Sequence, residues 1–310
     1  MPHDRDVVHS RRVLFEAPGI AVSDFRCSAP VEPEGREEPD LTDGIVLVRR
    51  GVFSLCHRGE RLLADPASIL FFNRGGAHRY GHPLPGGDVC TILSLSAARA
   101  REATARHDPA AAERHEGPFR RVRTLSSPRA AALHFELLAL LAERPAGLAV
   151  EDLLVELVDE SVRAGCAGVA HPPRETEDPP ARRRHRELAE AARLALYARL
   201  ADPPALGELA RALGCSPFHL SRVFHRVTGL PLRRHLARLR SRAAAERIAA
   251  GARDLTRLAL ELGFADHAHF TRAFRAEWGL PPSRFRERLG AARAGGGTRE
   301  PGRRTRRAAW

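Results

Sequence analysis

Two arginines fifty residues apart, Arg222 and Arg272, hold the same place in two copies of one motif. Leu220-Ser221-Arg222-x-Phe224, then four residues and Gly229-Leu230-Pro231, recurs as Phe270-Thr271-Arg272-x-Phe274, four residues and Gly279-Leu280-Pro281. A guanidinium is a planar fork of donors that can bond paired acceptors bidentately. A second set with chemical potential is Cys56, His57, His78, His82 and Cys90. Brought together, such soft nitrogen and sulfur ligands suit zinc or iron. The commoner arrangement is hydrogen-bonded turn histidines beside small buried cysteines, so no metal or other cofactor is assigned. All 50 Lys+Arg residues are arginine. The absence of lysine excludes a Schiff-base mechanism and a Walker-type phosphate loop. No Ser/His/Asp arrangement or carboxylate pair stands out, so no catalytic residue is named and the chain reads as a non-enzyme.

The elements that must position the repeated arginines are readable from spacing. Upstream of each copy lies a short helical pattern ending in glycine: Leu209-Ala210-x-x-Leu213-Gly214 and Leu258-Ala259-x-x-Leu262-Gly263. Here the offset is 49 rather than 50, so the second turn is one residue longer. Each copy reads as helix, glycine turn, helix. Ala210 and Ala259 fall where the helices cross, and Gly214 and Gly263 suit a left-handed turn. Leu220, Val223 and Phe224, with Phe270, Ala273 and Phe274, take the inner faces. Phe218, Ser221 and Arg222, and then His267, Ala268, Thr271 and Arg272, remain on the outer faces. This is the part that enters a major groove in the helix-turn-helix mode. Between the copies, Leu232–Ala250 carries an apolar stripe through Leu232, Leu236, Leu239, Ala243 and Ile248. That helix is roughly 28 Å long at 1.5 Å per residue, against the roughly 34 Å that separates successive major grooves.

Charge agrees with this placement. Residues 1–180 hold 22 Arg and 27 acidic residues, whereas residues 181–310 hold 28 Arg and 11. The formal +12 of the whole chain is therefore a basic C-terminal part joined to a mildly acidic N-terminal one. The asymmetry implies a polyanionic partner for the basic part.

Residues ~187–289 resemble the DNA-binding domain of the AraC/XylS family of transcription regulators. The second copy is the more specific: Leu262-Gly263-Phe264-x-Asp266-x-x-His269-Phe270-x-Arg272-x-Phe274, then Gly279-x-x-Pro282-x-x-Phe285-Arg286. Leu258 before Ala259, where isoleucine is usual, and Phe285, where tyrosine is usual, are mild departures. The resemblance implies seven helices, two helix-turn-helix units and double-stranded DNA as partner. It places base contacts on Phe218, Ser221, Arg222, His267, Ala268, Thr271 and Arg272, with the two arginines foremost. A bidentate guanidinium on guanine gives about 1–3 kcal/mol of discrimination. The alternatives for either arginine are a phosphate contact or a salt bridge within the domain. Arg226, Arg233, Arg234 and Arg275 are expected to neutralise phosphates.

The N-terminal part shows short β-type runs: Ile45–Val48, Gly51–His57, Arg61–Ala64, Ser68–Phe72 and Val89–Leu95, with one more near Gly19–Arg26. Two apolar-striped helices follow, one from about Pro128 and stopped by Arg144-Pro145-Ala146-Gly147, the other over Val150–Ala164. Their stripe fits packing against the sheet, with a dimer seam as the alternative. Less specifically, this part resembles the cupin-like sensor domain of many family members, through Gly51 and Ile69-Leu70-Phe71-Phe72-Asn73-x-Gly75-x-x-His78-x-Tyr80. The HxH-Glu-His ligand set of catalytic cupins is missing.

The expected architecture is multi-domain. An N-terminal cupin-like β-barrel with an αα-hairpin (1–169) senses an effector or mediates dimerisation. A Pro-rich linker (170–186) leads to the all-α double helix-turn-helix domain (187–290) and a disordered basic tail (291–310). The implied partners are DNA, a small-molecule effector, a second copy of the chain, and RNA polymerase if the protein activates. The other reading is a cupin-type metal-binding or enzymatic domain fused to a DNA-binding one. An odd count of five cysteines without a CxxC pair, and no run long enough to span a membrane, point to the cytoplasm.

Overall fold

The computed structural model describes residues 9–142, 147–167 and 179–294. The chain opens with β1 (His9–Ala17), β2 (Ile20–Cys27), β3 (Glu37–Pro39), β4 (Asp43–Gly51) and β5 (Phe53–His57). β6 (Glu60–Ala64), β7 (Ser68–Phe72), β8 (Ala77–Gly81) and β9 (Asp88–Leu95) follow. Then come α1 (Ala97–Ala105), α2 (Pro109–Ala112), β10 (Arg123–Leu125), α3 (Pro128–Leu141) and α4 (Gly147–Ala167). Beyond the gap lie α5 (Pro179–Ala198), α6 (Leu206–Ala212), α7 (Pro217–Thr228) and α8 (Leu232–Ala249). α9 (Leu255–Glu261), α10 (His267–Trp278) and α11 (Pro282–Ala294) complete them.

The strands form two open antiparallel sheets, not the closed barrel expected from their spacing. One sheet runs β1-β2-β9-β4-β7-β10 and the other β3-β8-β5-β6, and the edge strands of neither order are hydrogen-bonded to each other. Strand and turn spacing specifies local pairs such as β5 with β6. It does not specify whether distant edges meet. Closure is replaced by stacking. Along β4 and β7, Ile45, Leu47, Ile69 and Phe71 face α1, α3 and α4, whereas Val46, Val48, Leu70 and Phe72 face Phe53, Leu55 and Ala64 of the second sheet. A sheet covered on both faces needs apolar residues at consecutive positions, which is why these strands read IVLV and ILFF rather than alternating.

α3 and α4 pack as a helical hairpin on the larger sheet, burying Leu133, Leu137, Leu154 and Leu157. Their opposite flank reaches the C-terminal part. Ala131, Phe135 and Ala139 of α3 share one core with Leu258, Phe270, Phe274, Trp278 and Phe285. Phe135 meets Trp278 and Phe285 edge-on, with ring centroids 5.4 and 5.8 Å away. α5 begins at Pro179, so the last residues of the span expected to be linker are helical. The rest of that span, the Arg144-Pro145-Ala146 stop and most of the expected tail lie outside the described residues.

Candidate nucleic-acid interface

α6 and α7 make one helix-turn-helix unit, α9 and α10 the other. The start of α7 is fixed by Ser216, whose Oγ accepts from the His219 N–H at 3.2 Å, with Pro217 in the first turn. Asp266 does the same for α10, accepting from the His269 N–H at 2.6 Å. Such caps satisfy otherwise orphaned helix donors, so the chain itself specifies where each second helix begins. Both turn glycines are left-handed, Gly214 at φ 68° and Gly263 at φ 79°. They differ in surroundings. A Cβ on Gly214 would meet nothing within 4 Å, but one on Gly263 would lie 1.9 Å from the Ala201 carbonyl oxygen. There Arg240 of α8 donates to the carbonyls of Leu200 and Ala201, tying both units together.

The inner faces are as spacing predicts. Leu220, Val223, Phe224, Phe270 and Phe274 are fully buried, while Ala273 is half-buried. On the outer faces Phe218, Arg222, His267, Ala268 and Arg272 are exposed, and Ser221 and Thr271 are half-buried. Phe218 is 75% exposed, an unusual position for so large an apolar ring, and the Arg222 guanidinium lies 5.8 Å over it. Arg226, Arg233, Arg234 and Arg275 are also exposed.

Elsewhere in this part arginines are neutralised locally. Arg238 and Arg242 pair with Glu277, Arg247 and Arg257 with Glu261, and Arg284 with Glu287. Among the described residues, Arg222, Arg233, Arg234, Arg272 and Arg275 have no acidic partner within salt-bridge distance. A salt bridge within the domain is therefore not what Arg222 and Arg272 make. Their charge remains available.

The five Cys/His metal candidates do not converge. Cys56 Sγ accepts from Arg79 Nη2 at 3.2 Å. The His57 and His78 rings stack at 4.8 Å, and His78 Nδ1 lies 3.0 Å from Asp40 Oδ2. His82 and Cys90 instead both address Asp88, through contacts of 3.0 and 3.2 Å. The His82 imidazole is pushed up to about 10, first by its bond to Asp88 and then by Cys27.

Sequence reasoning also missed the joint between the two parts. Asp65, at the end of the β6 hairpin, faces Arg193 of α5 and His235 of α8, all fully buried or nearly so. Burial alone would raise the Asp65 carboxyl, but the Arg193 charge and the His235 hydrogen bond outweigh it and hold it far below the usual range. Beside it Glu190 of α5 accepts two bonds from Arg123, at 2.6 and 2.7 Å, and one from the Leu63 N–H. Arg242 stacks on Trp278 at 4.9 Å, and its burial draws it down to about 10. A faint signal existed. His235 occupies the place that Phe285 takes fifty residues later, an imidazole where the second unit has an apolar ring.

A helix-turn-helix domain family model matches residues 209–288. That span runs from within α6 to within α11 and so holds both helix-turn-helix units. The HTH-type transcriptional activator AarP of Providencia stuartii is 31% identical over 81 residues. That match covers 26% of this chain and 60% of AarP. Among solved structures, a variant of ToxT from Vibrio cholerae in its apo form is 10% identical, with a TM-score of 0.37, over 87% of this chain and 98% of that one. A DNA-binding transcriptional dual regulator of Escherichia coli K-12 is 21% identical, with a TM-score of 0.31, over 33% of this chain and 92% of its own.

No helix among the described residues is long and apolar enough to cross a membrane.

Proposed function

We propose that the chain is a sequence-specific DNA-binding transcription regulator of the AraC/XylS type, acting in the cytoplasm. The observation that carries this reading is the pair of capped second helices, α7 and α10, whose exposed N-terminal halves hold arginines that, among the described residues, have no acidic group within salt-bridge distance. α7 and α10 enter successive major grooves. Phe218, Ser221 and Arg222 contact bases in one, and His267, Ala268, Thr271 and Arg272 in the other. Arg226, Arg233, Arg234 and Arg275 hold the flanking phosphates. The N-terminal part responds to a small-molecule effector or brings two chains together, and an activating form would contact RNA polymerase. The extensive contact of α3, α5 and α8 across the two parts supports such coupling, because an effector acts only through its differential affinity for two states.

The test is selection of bound duplexes from a random pool by the purified full chain. A two-part consensus with its halves about 10–10.5 base pairs apart is expected. A bound pool with no enriched sequence at moderate salt overturns the reading, since it leaves only nonspecific attraction.

A further inference from the structure

The geometry points to a metal site in the N-terminal part, formed by Cys27, His82 and Asp88 and suited to one zinc-class divalent cation. It does not rest on the DNA-binding reading. Cys27 Sγ, an imidazole nitrogen of His82 and a carboxylate oxygen of Asp88 all lie within 4.8 Å of one another. His82 Nε2 is 3.0 Å from Asp88 Oδ1. Ligand atoms around a tetrahedral zinc stand roughly 3.3–3.8 Å apart, given bonds of 2.0–2.3 Å. A cation therefore fits after small side-chain rotations. The donor set, one sulfur, one nitrogen and one oxygen, is of the kind zinc accepts, and the sulfur disfavours magnesium and calcium.

The three residues are held by backbone rather than by loose loops. Cys27 on β2 and Asp88 on β9 are direct cross-strand partners. His82 is fixed by a bridge to Glu32, with reciprocal backbone hydrogen bonds of 3.0 and 2.9 Å. All three side chains belong to residues no more than 7% exposed. The surrounding groups orient them. Glu32 Oε1 lies 3.3 Å from His82 Nδ1, which directs Nε2 toward Asp88 and Cys27. A carboxylate behind a ligating imidazole is the usual support of such sites. Cys90 Sγ donates to the other Asp88 oxygen at 3.2 Å, leaving Oδ1 for the ion. Charge balances as well. A thiolate and a carboxylate cancel the charge of a divalent ion.

The experiment is titration of the reduced, chelator-stripped full chain with zinc and with cobalt(II), followed by dialysis and elemental analysis. One ion per chain is expected. The cobalt form should show a near-ultraviolet thiolate-to-metal band that disappears in Cys27→Ser and persists when Cys56, Cys166 and Cys215 are together changed to Ser. No band in the unmodified chain, or a band that survives Cys27→Ser, overturns the assignment. Glu32→Gln keeps the question decidable if Cys27→Ser fails to fold, because Glu32 is partly exposed and binds no metal itself. Affinity should fall about 10–100-fold in that variant. Affinity unchanged by Glu32→Gln also overturns the assignment.

Discussion

Arg193 donates through both Nε and Nη2 to a single oxygen of Asp65, at 3.0 and 2.7 Å, with both side chains almost wholly excluded from solvent. The pair joins residues 128 positions apart, one on a sheet hairpin and one on the first helix of the C-terminal part. Ser68 Oγ takes a further Arg193 donor at 2.8 Å. Nearly every hydrogen-bonding demand of the two ions is thus met inside the protein.

Asp65→Ala should cost about 3–5 kcal/mol of stability, because it leaves the Arg193 charge buried and unpaired. Replacing both members by apolar residues, Asp65→Leu with Arg193→Met, should recover most of that loss. Urea denaturation of the three chains measures it. A single variant as stable as the parent would mean that water reaches Arg193.

Acid should destabilise the fold well above the carboxylate range. His134 is buried against Thr91 and, first through burial and then through the Arg49 and Arg242 charges, protonates only at about 3. In the unfolded chain it protonates near about 6.5. Between these values the unfolded chain binds the extra proton, so stability falls as pH falls, by up to about 1.4 kcal/mol per unit. His235, also lowered mainly by burial, adds a loss of the same sign. Asp65 contributes only below about pH 4, where its unfolded form gains a proton. Melting temperature should therefore decline below about pH 6.5 through His134 and His235. It should decline again as pH rises from about 6.5 toward 10, where only the folded chain keeps the His82 proton. His134→Gln should make the acid decline shallower; an identical slope removes His134 as its source.

Arg272→Ala should relax sequence preference at one or two positions of a selected site, at about 1–3 kcal/mol. Arg222→Ala should do likewise in the other half of the site. Binding assays on single-base variants of the site distinguish this from uniform weakening, which would make either arginine a phosphate ligand.

Arg233, Arg234 and Arg275, each changed to Gln, should weaken binding to all duplexes alike. The slope of log affinity against log salt should become shallower by about 0.9 for each phosphate that is no longer neutralised. An unchanged slope would return that arginine to an ordinary solvated face.

Phe135→Ala should destabilise the second helix-turn-helix unit although the residue lies in α3. A loss of about 3–5 kcal/mol is expected for a buried phenylalanine. Trp278 reports it directly, since the chain has 2 tryptophans and Trp310 can be changed to Phe. A red shift of Trp278 emission is expected, and an unshifted spectrum would show that the aromatic cluster closes without α3.

What the sequence revealed was local. The two units were legible because Gly214 and Gly263 end short runs of apolar residues at helical spacing, each followed by a second such run. Strands β4 and β7 were legible as unbroken apolar runs. β1 was not, because His9–Ala17 carries mostly exposed side chains on a sheet edge and shows little alternation. The open form of the sheets and the meeting of Asp65 with Arg193 depend on long-range topology, which no short spacing encodes. The same limit explains the cysteine and histidine set. His82 was singled out with Cys56 and His57, while its neighbour Cys27 lies 55 positions away on another strand.

The crowded turn at Gly263 has a consequence for any duplex the protein reads. With Ala201 against that turn and Arg240 fastening the same segment, the two units are held in contact at this point. Adding one base pair between the two halves of a site turns the far half by roughly 35° around the duplex axis. To follow that rotation the protein would have to break the Ala201 and Arg240 contacts at Gly263. An operator is thereby constrained in helical phase, and an inserted base pair must otherwise be absorbed by unwinding the DNA or by giving up one of the two grooves.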